Sequence, residues 1–119
     1  KAQLITSKYK QLTHTVQYAE IKFDTTSQYK EFHIKDEYGY YEFPFTNTGN
    51  VPLEITDCKT TGGATCATYT KEPILPNQKS IIKVHYSIGG IGGFNKSITV
   101  FSNSVINPIV LYVQGTTTE

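Results

Sequence analysis

Apolar and polar residues alternate over short stretches along this chain, and this alternation constrains the fold more than any other feature. In "YYEFPFTN" the residues Tyr41, Phe43 and Phe45 share one parity, and Glu42 and Pro44 take the other. Successive side chains of a strand point to opposite faces, so the pattern predicts a half-buried strand. No window holds a helical period over enough residues to compete, so we expect an all-β fold.

Six further segments are candidate strands, and turn residues (Asn, Gly, Pro and Ser) separate them. About seven short antiparallel strands spaced in this way favour a β-sandwich. The six segments are "YAEIKF", "KEFHI", "VPLEITDC", "KSIIKVHYS", "FNKSITVFS" and "NPIVLYVQG". The last four have the clearest alternation, and their inward residues are, in order, Val51, Leu53 and Ile55; Ile82, Val84 and Tyr86; Phe94, Ile98 and Val100; and Ile109, Leu111 and Val113.

Two local features refine this expectation. Pro44 has no N–H to donate, so its strand must lie at an edge or contain a bulge at that point. The segment "TNTGN" (residues 46–50) lies between two alternating stretches. Gly and Asn tolerate the positive φ angles that a tight connection needs, so this segment is predicted to be a turn.

The 119 residues fit one domain. We divide them into a polar lead-in or edge strand (1–17), a sandwich domain (18–115) and a short tail (116–119). The net charge of +1 and the mixed charges provide no basic surface for nucleic acid. No apolar run approaches the roughly 20 residues of a membrane helix. Because the sequence contains no Met, we expect Lys1 to follow either a signal-peptide cleavage or a trimmed boundary.

Cys58 and Cys66 are the two cysteines of the chain. In an exported protein an isolated pair usually forms a disulfide, and this is the interpretation we favour. In the cytosol the two residues would be free thiols. A metal site would need one or two histidines beside them, but His14, His33 and His85 are scattered singly. Redox catalysis is disfavoured because there is no Cys-x-x-Cys spacing.

Four blocks of the sequence together resemble a known family: "FPFTNTGNVPLEI", "TKEPILPNQKSIIKVHYS", "GGFNKSITVFSNS" and "VLYVQG". In this order they are similar to a bacterial immunoglobulin-like domain family of unknown function, common in exported proteins and lipoproteins of Bacteroidetes. The resemblance covers about residues 18–115. It implies an immunoglobulin-like β-sandwich, related in architecture to Hydin-like and major-sperm-protein domains, and an extracytoplasmic (periplasmic or secreted) location. It implies no activity.

The sequence departs from that family where a metal site would lie. The family's close Cys-Gly-Cys block is replaced by "DCKTTGGATCATY", which places the cysteines eight positions apart. Two adjacent thiolates could bind a soft metal, whereas the longer spacing is better suited to pinning a loop. The family's Pro-Gly turn becomes Pro76-Asn77, where Asn can still adopt the left-handed conformation.

Two segments are candidate binding surfaces. The loop Gly89, Gly90, Ile91, Gly92 and Gly93 lies between strands and lacks the Gly-Lys-Ser/Thr ending of a phosphate cradle, so we expect a mobile hairpin loop. Tyr38 and Tyr40 fall on the outward parity. They could anchor a protein or stack on a sugar, although ordinary cross-strand packing is the simpler explanation and there is no Trp.

No motif nominates a catalytic residue, since a Gly-x-Ser-x-Gly elbow is absent and Asp36 and Glu37 would splay to opposite faces. We therefore expect a non-catalytic module without a cofactor that engages another protein through a sheet edge or its end loops. The loop between the cysteines and the glycine loop are the surfaces we favour. The alternative is a small-ligand binder, taking carbohydrate on the exposed tyrosines or a soft metal through the cysteines.

Overall fold

The computed structural model describes residues 16–119, with the backbone alone at residues 66 and 67, and those residues contain eight strands and no helix. Hence none of the described residues forms a helix that could cross a membrane. The strands are β1 (Ile21–Phe23), β2 (Ser27–His33), β3 (Tyr38–Asn47), β4 (Ile55–Thr60), β5 (Ala64–Thr68), β6 (Lys79–Ser87), β7 (Gly92–Ser102) and β8 (Ile109–Thr118).

The strands form two four-stranded sheets that pack face to face as a sandwich. The first sheet has the order β1-β3-β6-β5, and all its pairs are antiparallel. The second has the order β2-β8-β7-β4, in which β2 runs parallel to β8. The predicted all-β sandwich is confirmed. The structure adds one strand to the expected seven and one parallel pair to the expected antiparallel set.

The core lies between the sheets, and most of its large side chains are ones that the alternation predicted. Five further residues are buried in it, Ala19, Ile21, Phe23, Ala64 and Ile74, whereas four predicted inward residues are only half-buried, Val51, Tyr86, Phe94 and Ile109. A side chain that is buried against the opposite sheet leaves water, and this burial is the main stabilising term of the fold. Tyr41, Phe43 and Phe45 of β3 are each exposed by 1% or less. The other fully buried apolar side chains are Leu53, Ile82, Val84, Ile98, Val100, Leu111 and Val113.

Two boundaries differ from the sequence prediction. β5 was assigned to a loop, because "ATCAT" has no large apolar residue to mark a buried face. Residues 116–118 of the expected tail (116–119) are part of β8, since they pair with β2 and with Gly92 and Gly93 of β7. Most of the predicted lead-in, residues 1–15, lies outside the described residues.

Pro44 lies where the edge prediction placed it. β1 pairs with β3 only at residues 45–47, so β3 becomes an edge from Pro44 towards Tyr38. The Pro44 carbonyl accepts the last backbone bond on this side, from Asp24 N at 3.0 Å. Beyond it, side chains of β2 cover the edge: Lys30 Nζ lies 2.6 Å from the Tyr40 carbonyl oxygen. Charged residues of this kind protect an exposed strand edge.

Two glycines make room for aromatic rings inside the sandwich. A Cβ on Gly39 would lie 2.4 Å from the Phe32 ring, and a Cβ on Gly115 would lie 2.4 Å from the Phe94 ring. The Phe94 ring stacks on Tyr86, with centroids 4.0 Å apart. These contacts close one end of the core with rings from both sheets.

Candidate interaction surface at one end of the sandwich

The connections between strands gather at two opposite ends of the sandwich. Residues 34–37, 61–63 and 88–91 connect strands at one end, which we call the aromatic end. Residues 48–54, 69–78 and 103–108 connect strands at the other, which we call the clamp end. The two ends use their loop residues in different ways.

Asn47 is the centre of the clamp end. It is 0% exposed, and its side chain makes four hydrogen bonds. Its Oδ1 accepts from the backbone N–H groups of Gly49 (2.9 Å) and Glu20 (3.3 Å). Its Nδ2 donates to the carbonyls of Val51 (2.8 Å) and Ile74 (2.9 Å). A buried amide with all its partners present fixes the path of three chain segments.

Gly49 and Asn50 hold the segment that enters β1. A Cβ on Gly49 would lie 2.3 Å from the Tyr18 carbonyl oxygen, so only glycine permits this approach. Asn50 Oδ1 accepts from the Tyr18 N–H at 2.9 Å, and its Nδ2 donates to the Val16 carbonyl at 2.9 Å. The segment is a turn, as predicted, and it also binds a neighbouring stretch of its own chain.

Polar residues of the 103–108 connection are used in the same way. Ser104 Oγ accepts from the backbone N–H groups of Ile21 and Ile106. Asn107 Oδ1 accepts from Ser102 N–H at 2.9 Å. On the 69–78 connection, Asn77 has φ 70°, the left-handed conformation expected of it, and its N–H donates to the Asn47 carbonyl at 2.7 Å.

At the aromatic end, Tyr38, Tyr40 and His85 form a group that we call the aromatic shelf. Tyr40 of β3 pairs directly with His85 of β6, so both side chains point outward from the first sheet. The ring centroids lie 5.2 Å apart for Tyr38 and His85, 6.2 Å for Tyr40 and His85, and 6.3 Å for the two tyrosines. The tyrosines are 39% and 62% exposed, in agreement with their predicted outward orientation.

The three rings line a shallow depression of about 270 Å³. His85 is half-buried beneath the tyrosines, and its Nδ1 is a buried atom without a hydrogen-bond partner among the described residues. Buried polar atoms nearly always have a partner, because an unpaired one costs about 1–3 kcal/mol. The tyrosine planes are inclined by 48°, so they do not form the flat platform that carbohydrate stacking would need.

The glycine loop lies beside the shelf. Ile88 N–H donates to the Glu37 carbonyl at 3.2 Å, which ties the start of the loop to the residue before Tyr38. Ile91 is 60% exposed. A Cβ on Gly89 or Gly90 would meet nothing within 4 Å, so no packing demands glycine at these positions. Gly92 has φ 122°, a conformation that favours glycine as the chain enters β7, and Gly93 belongs to that strand.

The loop between the cysteines also belongs to the aromatic end. Cys58 lies in β4, an edge strand of the second sheet, and is half-buried against the core. Cys66 lies in β5, an edge strand of the first sheet. Residues 16–119 contain no group of three His, Cys, Asp or Glu side chains that could hold a metal ion, within the side chains that the structure describes.

The sequence could have indicated His85 as the third ring. It shares the outward parity of Tyr40 on a neighbouring strand, but parity alone does not give the register that places the two residues opposite each other. The burial of Asn47 had no signal in the single sequence, because an Asn in a turn is ordinarily exposed.

Beneath the shelf, Tyr41 joins the two sheets. Its hydroxyl donates to the Gln114 carbonyl of β8 at 2.8 Å. Burial of the side chain, with smaller contributions from Tyr86 and Tyr29, raises the pKa of Tyr41 to about 12. The neutral, hydrogen-bonded form is therefore the one that the fold stabilises.

The chain belongs to the family described as "Protein of unknown function (DUF1573)", whose pattern matches residues 20–117. This confirms membership of a family of unknown function. No curated protein matches the chain.

Three solved structures with the same fold come from different kinds of protein. A protein of unknown function from Porphyromonas gingivalis W83 has a TM-score of 0.72 at 14% identity, over 87% of this chain and 49% of that one. The ASH/PapD-like domain 7 of human CEP192 has a TM-score of 0.64 at 10% identity, over 89% and 94%. The secreted serine protease VesC from Vibrio cholerae has a TM-score of 0.63 at 10% identity, over 82% and 23%.

The chain thus spans under a quarter of the VesC protease and about half of the Porphyromonas protein. At identities of 10–14% these likenesses show the fold alone. The fold is an immunoglobulin-like β-sandwich, and the same architecture serves proteins of unrelated function.

Proposed function

We propose that this domain is a non-catalytic binding module that acts outside the cytoplasm and engages another protein through its aromatic end. One observation carries the proposal: two exposed tyrosines over a half-buried histidine lie beside a loop that presents an exposed isoleucine. Exposed aromatic and apolar side chains that flank one another are typical anchors of protein interfaces.

The loop chemistry supports this choice of end. Gly89 and Gly90 leave open space around the backbone, which lets the loop adapt to a partner. Ile91 can then insert as an apolar anchor while the tyrosines supply contact area at little cost in side-chain entropy. Loops held by a rigid sandwich are where such modules commonly carry function.

A disulfide between Cys58 and Cys66 is the second part of the proposal. It would tie β4 of one sheet to β5 of the other next to the connection at residues 61–63. Cys58 is not a free thiol in the structure, which supports this pairing. A disulfide persists in an oxidising compartment, so it also supports a periplasmic or secreted location.

The binding surface can be tested by photo-crosslinking in the native cell. A photoreactive residue replaces Ile91 at the aromatic end or, as the matched control, Ile106 at the clamp end, two isoleucines with exposed fractions of 60% and 51%. We expect a discrete covalent adduct with one protein from position 91 and none from position 106. Adducts from position 106 alone, or equal adducts from both, would refute the assignment of the aromatic end.

The compartment and the disulfide can be tested by intact mass. The protein isolated from its native cell should be two hydrogens lighter than the reduced chain and should resist thiol alkylation until it is reduced. Two alkylated cysteines without prior reduction would contradict both the disulfide and the export proposal. A bound ion in the native mass together with free thiols would favour the soft-metal alternative instead.

A further inference from the structure

The three rings of the aromatic shelf are steeply inclined to one another. The planes meet at 77° for Tyr38 and His85, 60° for Tyr40 and His85, and 48° for the two tyrosines. An aromatic ring is negative over its face and positive at its edge. The three rings line one depression, so an incoming group meets aromatic surface from two neighbouring strands.

Such a cavity discriminates among ligands by charge. A cation over a tyrosine face is attracted by the ring quadrupole, whereas an anion is repelled. A sugar ring would need a coplanar surface, which the 48° inclination of the tyrosines does not provide.

The unpaired Nδ1 of His85 also favours a ligand that is a hydrogen-bond donor. In the Nε2-protonated tautomer Nδ1 is an acceptor, and this buried atom has no donor among the described residues. Tyr38 and Tyr40, whose rings contact the His85 ring, are exposed. A ligand with several N–H groups in the depression between them can donate to Nδ1 if a tyrosine side chain shifts on binding.

The charges around the shelf are compatible with a cation. Asp36 and Glu37 occupy the connection just before Tyr38 and are exposed. Glu42 and Lys83 form a register pair that is next to Tyr40 and His85 along the two strands. Lys35 is exposed as well, and Lys30 Nζ lies 2.6 Å from the Tyr40 carbonyl oxygen, so three carboxylates and three ammonium groups surround the shelf and its net charge is balanced.

We propose that the aromatic shelf binds the guanidinium group of an arginine side chain presented by the protein partner. The guanidinium is flat, weakly hydrated and able to stack on tyrosine while donating hydrogen bonds, which an ammonium group does less well. A planar group also fits a shallow, open depression of about 270 Å³. This proposal rests on the proposed function, since it specifies the chemistry of the partner at that surface.

The test uses the whole chain and a blocked Gly-Arg-Gly tripeptide, followed by NMR. The matched ligand is the same peptide with citrulline, which has nearly the same shape without the charge. We expect the arginine peptide to shift the Tyr38, Tyr40 and His85 resonances with a dissociation constant in the millimolar range, as befits a single side chain. The citrulline peptide should bind at least roughly fivefold more weakly, the fold-change of one cation–π contact.

Variants at Tyr40 test whether the arginine peptide binds to the face of the aromatic ring or only through apolar contact. Tyr40→Phe keeps the face and should preserve binding, while Tyr40→Leu should weaken it by roughly fivefold. Tyr112→Leu, at a tyrosine 41% exposed on the outer face of the second sheet, is the control that should change nothing. The chemical shifts of the core residues report whether each variant remains folded.

Three outcomes would overturn the proposal: no shift in the millimolar range, equal binding of the citrulline peptide, or binding unaffected by Tyr40→Leu. Each can be distinguished from failure of the proposed function. If the crosslink from position 91 forms while the arginine peptide fails, the aromatic end binds a protein through other chemistry. If neither occurs, both proposals are wrong.

Discussion

The two ends of this sandwich expose similar side chains and use their loops differently. Ile91 at the aromatic end and Ile106 at the clamp end are both more than half exposed. The backbone N–H of Ile106 is bonded to Ser104 Oγ, and that of Val105 to the Ala19 carbonyl. Gly89 and Gly90, which precede Ile91, lie in open space. Similar exposure of an isoleucine is therefore combined with a hydrogen-bonded backbone at one end and with loosely surrounded glycines at the other.

The two ends also differ in whether their polar side chains have hydrogen-bond partners within the fold. The segment 46–50 of the clamp end was predicted to be a turn, and the side-chain amides of Asn47 and Asn50 make their hydrogen bonds within the fold. At the aromatic end a polar atom of a strand residue, His85 Nδ1, lacks a partner among the described residues.

The largest expected effect is at the centre of the clamp. Asn47→Ala removes four hydrogen bonds. It leaves the Val51 carbonyl without its donor and the Gly49 N–H without its acceptor, whereas the Ile74 carbonyl keeps the bond from the Leu53 N–H. We therefore expect a loss of about 3–5 kcal/mol in the free energy of unfolding. Urea denaturation measures it. Asn50→Ala is the control, because its bonds are exposed and should cost about 1 kcal/mol. A loss no greater than that of the control would remove Asn47 from its central role.

Reduction of the proposed disulfide should have the next largest effect. Opening the short loop from Cys58 to Cys66 should lower the free energy of unfolding by about 2–3 kcal/mol, through the greater freedom of the unfolded chain. Denaturation with and without reductant measures the difference. The double variant Cys58→Ser with Cys66→Ser should not respond to reductant. An unchanged midpoint in the parent chain would mean that no disulfide joins the sheets.

A pair of glycine substitutions compares the ends directly. Gly49→Ala places a methyl group against the Tyr18 carbonyl and should cost about 2 kcal/mol, as overpacking does. Gly90→Ala meets no atom and should be neutral or stabilise by up to about 1 kcal/mol, since it restricts the unfolded chain. Thermal and urea unfolding give both values. Equal costs at the two positions would break the contrast between the ends.

The smallest expected effect concerns the hydrogen bond from the Tyr41 hydroxyl to the Gln114 carbonyl, which joins the two sheets. The pKa of Tyr41 is about 12 in the folded protein, above its ordinary value of 10.0. The contribution of its neutral hydroxyl is thus fully present below pH 10 and is lost as the pH rises towards 12. Tyr41→Phe should lower the free energy of unfolding at pH 7 by about 1 kcal/mol. It should also reduce the dependence of that free energy on pH between about 10 and 12. Parallel pH profiles for both proteins would contradict the assignment.

Much of the fold was predictable because each strand has one buried face, and alternation records that face directly. β6 begins and ends where "KSIIKVHYS" does, and its inward residues Ile82 and Val84 are buried. The pairing of strands was not predictable in the same way. The parallel pair β2–β8 joins residues far apart in sequence, and no alternation within either strand specifies its neighbour.

The candidate site was predictable in part. Tyr38, Tyr40 and the glycine loop were selected by parity and composition, and the structure places them at one end. His85 needed the register of β3 with β6, which a single sequence does not provide. β5 was missed because small residues at an edge leave no apolar signature.

Site-resolved amide hydrogen exchange on the whole chain tests the division between the ends most directly. The amides of Gly49 and Asn50 are hydrogen-bonded at the clamp, whereas those of Gly90 and Ile91 belong to the open loop. We expect exchange at the clamp to be slower by at least about a hundredfold relative to unstructured peptides, and exchange in the glycine loop to approach the rate of such peptides. Similar protection at both ends would contradict the account, because the loop would then be as fixed as the clamp.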